Sequence, residues 1–183
     1  MNAYEYIKIG KRYKCIYFFC LAMFASVSDA VSQKHKLVDS LESLINKIHI
    51  PMPLTYGDST IFSYSFVHTG CLCAMSKVST SNSDKMNHII TYSFDLSGFE
   101  NGMILIDKPD EEYFNPIKED IWTVQIGIAD IMVQNTDWGQ RQTKSSYFNL
   151  FVDLENRDKI INAIKNAIEG CGGSIDNITY LVK

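Results

Sequence analysis

Beyond its first fourteen residues this chain has no two adjacent Lys or Arg, and over 183 positions it carries 17 basic against 21 acidic residues. Nucleic acid and anionic lipid both need a positive face to bind, so neither is expected as a partner. Glycine-rich phosphate loops, serine-nucleophile elbows and His-Glu metal motifs are all missing, which removes the most readable enzyme classes. Only four histidines and four prolines occur. No internal repeat or low-complexity block interrupts the chain, so solenoid and linker architectures are not expected.

The chain begins "MNAYEYIKIGKRYKCIYFFCLAMFASVSDAVSQ". Lys8, Lys11, Arg12 and Lys14 precede an apolar run from Cys15 to Val27, and small Ser28 and Ala30 follow. That order is the pattern of a secretory signal peptide, with cleavage expected after Ala30. The apolar run is short of the ~20 residues a spanning helix needs, so a membrane is expected only if the leader stays attached. Cys20 lacks the small residues that precede a lipidated cysteine. Residues 1–30 are therefore read as a leader and 31–183 as a single domain, long enough to bury its own core. The leader removes four basic and two acidic residues, which leaves the remainder at a net charge of −6.

Three cysteines follow the leader: Cys71, Cys73 and Cys171. Disulfides persist outside the cytosol, and an odd count allows one internal bridge with one thiol left over. Cys71 and Cys73 are poorly placed to bridge each other, since same-face neighbours two apart lie near the limit of disulfide reach. Two readings stand: Cys71 or Cys73 with Cys171, or three buried thiols.

Leu37, Leu41, Leu44, Ile45 and Ile48 trace one helical stripe, which predicts a helix from Gln33 to Ile48 stopped by Pro51 and Pro53. The texture then changes. "STIFSYSFVHTGCLCAMSKVS", "HIITYSFDL", "MILID", "IWTVQIGIADIMVQN" and "SSYFNLFVDL" are rich in β-branched and aromatic residues and are separated by polar turns. Trp122, Val124, Ile126 and Ile128 share one face, and Gly127 marks a bend. Phe148, Leu150 and Val152 share another. "ENRDKIINAIKNAIEGCGG" returns to helical spacing through Ile160, Ile161, Ile164, Ala167 and Ile168. Asp153 or Asn156 is its N-cap, and Gly170, Gly172 and Gly173 supply the stop. Burying each isoleucine stabilises by roughly 1.5–3 kcal/mol before entropy, so this helix must pack on the sheet. "SIDNITYLVK" is one more strand or a loose tail. The expected fold is α+β: an antiparallel meander or partly closed barrel with an N-terminal helix and a packed C-terminal helix.

The stretch "HTGCLCA", His68 to Ala74, is the densest cluster of reactive residue types. In a regular strand Cys71 and Cys73 share a face with Val67 and Thr69, while His68 lies on the opposite face. Metal ligands must converge on one point, so no metal site is expected here. The acidic run Asp110, Glu111, Glu112 lacks the spacing of a calcium loop and reads as solvated charge. Trp122 reads as core by its place in the strand pattern. Trp138, beside Gly139 at a hairpin tip, is the candidate for an exposed contact with a partner.

The closing part, "YSFDLSGF" through "VQIGIADIMV" to "SSYFNLFVDLENRDKIINAIKNAIEGCGG", resembles small uncharacterised secreted proteins of Gram-negative bacteria, in which an "idLs" strand, later strands and a final helix ending near "CGG" recur. The order of strands closed by one helix also resembles a pleckstrin-homology-like barrel, although the final helix lacks that family's tryptophan and the loops lack its phosphoinositide-binding bases. No functional residue carries over from either. The expected function is a secreted or periplasmic binding module for a protein, peptide or glycan, with no catalytic residue, cofactor or metal. The rival readings are a hydrolase using Cys71 or Cys73 with His68 or His88, or acids such as Asp58 and Asp95, and a small hydrophobic-ligand carrier.

Overall fold

The computed structural model describes residues 32–53, 59–81, 87–109, 121–135 and 142–181. The leader with its cleavage position Ala30, the acidic run 110–112, Asp58 and Trp138 lie outside these residues.

Helix α1 spans residues 32–45 and buries Val38, Leu41 and Ile45. It ends before Ile48, and Pro51 and Pro53 are not its stop. They lie in strand β1 (His49–Pro53), which among the described residues pairs with β2 (Ser59–Thr69) alone, at one end of the sheet. An edge strand tolerates the missing N–H groups that a central strand would not.

Strands β2 (Ser59–Thr69) and β3 (Leu72–Ser81) form one long hairpin. The sequence had read this segment as a continuous strand. Gly70 sits at φ +63°, a conformation that suits glycine. A two-residue loop, Gly70-Cys71, closes the hairpin, with Thr69 paired to Leu72. Strand β4 (Asn87–Asp95) adds antiparallel to β3. Phe62, Tyr64 and Phe66 alternate with exposed or half-buried residues and turn inward.

The sheet branches at its longest strand. β6 (Ile121–Asn135) pairs along one edge with β7 (Gln142–Asp153). Along its other edge it pairs first with β5 (Gly102–Asp107), through Thr123–Gly127, and then with β4, through Met132–Asn135. The change of partner coincides with a register shift in β6 between Gly127 and Ile131. Such an irregularity bends a strand and increases its twist, and here it lets β4 and β5 share one edge. β8 (Ile175–Tyr180) lies beyond β5 and runs parallel to it. The sheet is thus mostly antiparallel, as expected, and the β5–β8 pair is its one parallel pairing among the described residues. The α2 connection returns the chain to the same end of the sheet, which a hairpin cannot do.

The sheet curls into a half-barrel until β2 meets β7. The Phe151 N–H donates to the Tyr64 hydroxyl at 2.8 Å, and the Phe62 and Phe151 rings lie 4.7 Å apart. Helix α2 (Leu154–Cys171) starts on an Asp153 cap that accepts from the Asn156 N–H at 2.7 Å. Ile160, Ile161, Ile164, Ala167 and Ile168 join Ile104, Ile106, Val124, Ile126 and Leu150 in one continuous core. Both α helices and all parts of the sheet contribute to it.

The end of α2 explains the "CGG" run. Gly172 takes φ +94° as the left-handed cap. A Cβ on Gly173 would stand 2.5 Å from the Leu96 carbonyl oxygen. The chain therefore passes close over the short 3-10 turn Leu96–Gly98, and Gly102 N–H donates to the Ser174 carbonyl at 3.0 Å.

Candidate functional site

Three separate elements meet at one rim of the half-barrel: the β2–β3 loop, the Leu96 turn and the end of α2. The Leu96 N–H donates to the Cys71 carbonyl at 2.9 Å. Cys71 pairs with Cys171 across a Cα separation of 5.8 Å. The hairpin loop selects Cys71 over Cys73. Cys71 sits in the loop at the rim, whereas Cys73 is the strand partner of His68 and is buried. Its Sγ faces the Cys71 carbonyl at 3.5 Å.

The hairpin also revises the expected position of His68. Its Cα partner is Cys73, so the two share a face. Yet His68 turns both nitrogens elsewhere. Nδ1 lies 3.1 Å from the Gly70 carbonyl oxygen. Nε2 lies 3.0 Å from Asp39 Oδ1 and 3.3 Å from Glu42 Oε2, both on α1. Burial lifts the Cys73 thiol to about 12, and the charges of Asp95 and Glu42 push it the same way. A thiol held that high carries no nucleophilic thiolate near neutral pH, and Cys71 is committed to the disulfide. Asp95 caps the 3-10 turn, accepting from Ser97 N–H at 2.9 Å and from the Ser97 hydroxyl at 2.7 Å. These placements weaken the cysteine hydrolase reading.

Comparison with protein-family models, with curated proteins and with solved structures finds no match.

The outer face of β5, β6 and β7 carries a groove of about 420 Å³. Its centre is one cross-strand row: Met103 on β5 pairs with Gly127 on β6, which pairs with Tyr147 on β7. Gly127 has no side chain, so the row dips between two large neighbours. Met103 is 41% exposed and Tyr147 47% exposed. Leu105, Gln125 and Asn101 line the rest. In the next row, Asn149 has a buried Oδ1 with no hydrogen-bond partner among the described residues. The concave side is different. Phe66, Phe94 and Phe148 fill it, with the Phe94 and Phe148 rings stacked at 4.8 Å. A packed interior argues against the hydrophobic-ligand carrier.

Several residues escaped sequence reasoning. Trp122 is only half-buried; Lys108 Nζ stands 4.4 Å and the Arg157 guanidinium 4.6 Å from its ring. Lys77 points its ammonium over Phe62 and Phe151 at 4.8 and 4.3 Å. Asn46 satisfies the Phe66 backbone: its Oδ1 accepts from the N–H at 2.5 Å and its Nδ2 donates to the C=O at 3.1 Å. The amide thus stands in for a strand neighbour where β1 ends. The polar stripe His35, Asp39, Glu42, spaced four and three apart on α1, was legible as one face of a helix, but nothing local said what it faces.

Proposed function

We propose that this chain is an extracytoplasmic interaction module that receives an apolar side chain of a protein or peptide in the Met103–Gly127–Tyr147 groove. The carrying observation is that row: two exposed large side chains flank a residue with none. Interface cores favour tyrosine and methionine and are depleted in charge, and Glu100 is the one charged residue lining this groove. A Cys71–Cys171 pair is consistent with an oxidising compartment, and among the described residues no helix is long and apolar enough to cross a membrane. Export by the residue 1–30 leader fits both. The net acidic charge argues against nucleic acid. The distant kinship with pleckstrin-homology-like barrels and with secreted Gram-negative proteins rests on the sequence resemblance, and β8 after α2 is an addition to that order.

A photoreactive phenylalanine analogue in place of Tyr147 tests this in exporting cells. A discrete adduct is expected there and not with the same analogue at Asn166, on the exposed face of α2. Met103→Asp should abolish the adduct while leaving the circular dichroism unchanged. Equal labelling at both positions, or none at Tyr147, sinks the groove as the contact surface.

A further inference from the structure

Asp39, Glu42 and His68 offer one carboxylate oxygen each and one imidazole nitrogen, all within 4.8 Å of one another. We propose that these three side chains form a binding site for a divalent transition-metal ion of the zinc class. The inference stands apart from the groove and does not depend on it.

The His68 ring is already oriented for this role. The Gly70 carbonyl can only accept, so Nδ1 of His68 carries the hydrogen in that 3.1 Å contact. In the neutral ring the lone pair then sits on Nε2. Nε2 faces two carboxylate oxygens, at 3.0 and 3.3 Å. A cation shared by the ring nitrogen and both carboxylates would join all three at these distances. With a neutral imidazole the three donors sum to a charge of −2, which a dication balances.

The spacing also suits such an ion. Ligands of a zinc-class ion stand roughly 2.0–2.2 Å from the metal, and two such ligands at tetrahedral or octahedral angles lie about 3–3.5 Å apart. The measured N···O separations fall in that range. A carbonyl holding the far nitrogen of the ring is also how metal-binding histidines are usually oriented. Gly70 supplies this carbonyl from a backbone conformation that a side chain would strain.

Ligand chemistry narrows the ion. Calcium takes six to eight oxygen donors, and magnesium keeps most of its water. One imidazole with two carboxylates suits the borderline ions instead. His68 is 8% exposed at its side chain, whereas Asp39 is 63% exposed. The site is thus anchored inside and open on the α1 side. On that open side water can complete the coordination; the His35 ring, one helical turn before Asp39, lies 6.4 Å from that of His68. Sulfur has no part: Cys71 is in the disulfide and Cys73 is turned to the Cys71 carbonyl. An ion here would fasten α1 to the β2–β3 hairpin.

The test is calorimetric titration of the tag-free, chelator-stripped, disulfide-intact protein with Zn²⁺, together with native mass spectrometry. One ion per chain is expected, with a rise in melting temperature and a shift of the His68 ring resonances. Excess Ca²⁺ or Mg²⁺ should not compete. Asp39→Asn and Glu42→Gln keep side-chain shape at partly exposed positions, so both should fold, as circular dichroism would show. Each should weaken Zn²⁺ binding by at least about tenfold. Absence of stoichiometric Zn²⁺ binding would overturn the proposal, leaving an ion pair between α1 and β2. So would binding that either variant leaves unchanged, or that Ca²⁺ displaces.

Discussion

Removing the disulfide should be the most damaging small change to this protein. Cys71 and Cys171 are 100 residues apart, so the bridge closes most of the domain into one loop. In the chain-entropy treatment a loop of that length restricts the unfolded state by about 4–5 kcal/mol. Cys71→Ser with Cys171→Ala fits each site, since Cys71 is only partly buried and Cys171 is buried in the core. The expected loss is therefore about 3–5 kcal/mol, or roughly 6–20 °C in melting temperature for a domain of this size. Urea unfolding followed by circular dichroism measures it. The oxidised protein should show the highest midpoint, and the reduced protein should unfold together with the double variant. The unfolded state of the variant is less compact, so its dependence on urea should also steepen. Cys73→Ala is the control and should respond to reductant as the parent does. A loss below about 1 kcal/mol, well short of the chain-entropy value, would refute the reasoning. So would a Cys73→Ala variant that reductant no longer affects, because then Cys73 would be the bridging residue.

Gly173→Ala should cost about 2–3 kcal/mol through overpacking, because its Cβ would stand 2.5 Å from the Leu96 carbonyl and 2.9 Å from Ile168 Cγ2; an unchanged urea midpoint would contradict that close approach. Tyr64→Phe removes the buried hydrogen bond that the Phe151 N–H donates to the Tyr64 hydroxyl, at an expected cost of about 0.5–1.5 kcal/mol, and amide exchange at Phe151 should accelerate beyond what the global change explains. Burial pulls Lys77 down to about 8, so between roughly pH 8 and ~10.4 the unfolded chain holds a proton that the folded one has released. Stability from this group therefore rises with pH across that window, and its full penalty is present below it. Two ring faces favour the cation and offset part of the penalty, so Lys77→Met should stabilise by about 1–2 kcal/mol at neutral pH and flatten the alkaline slope; a steeper slope in the variant would exclude Lys77 as its source.

Much of the fold was legible as periodicity. The α2 stripe from Ile160 to Ile168 is a local property and sits where the spacing placed it; of the two caps the spacing allowed, Asp153 is the one used, and the stop is at Gly172, with Gly170 still inside the helix. Strand texture located β4 to β7 for the same reason. The β2–β3 turn was not legible, because "TGCL" carries one glycine between two apolar runs and none of the usual Asn-Gly or Asp-Gly signals. That one missed turn reversed the apparent faces of His68 and Cys73. It also hid that Cys71 is a rim residue. Pro51 and Pro53 misled in the opposite direction: proline speaks against a helix or a central strand but is compatible with an edge, and only the sheet order shows that β1 is one.

Taken alone, the residue order determined that the two apolar-striped segments coil into helices, that most of the later segments extend, and that acidic residues outnumber basic ones. The first two properties follow from backbone geometry repeating every 3.6 or two residues, and none of the three needs knowledge of distant neighbours. The tertiary structure alone decided that Cys71 is the partner of Cys171, that β6 shares its edge between β4 and β5, that Gly127 lies between Met103 and Tyr147, and that His68 meets Asp39 and Glu42. Each of these joins residues far apart in the chain. Their meeting depends on how tightly the sheet curls and where α1 docks, which the whole core sets together.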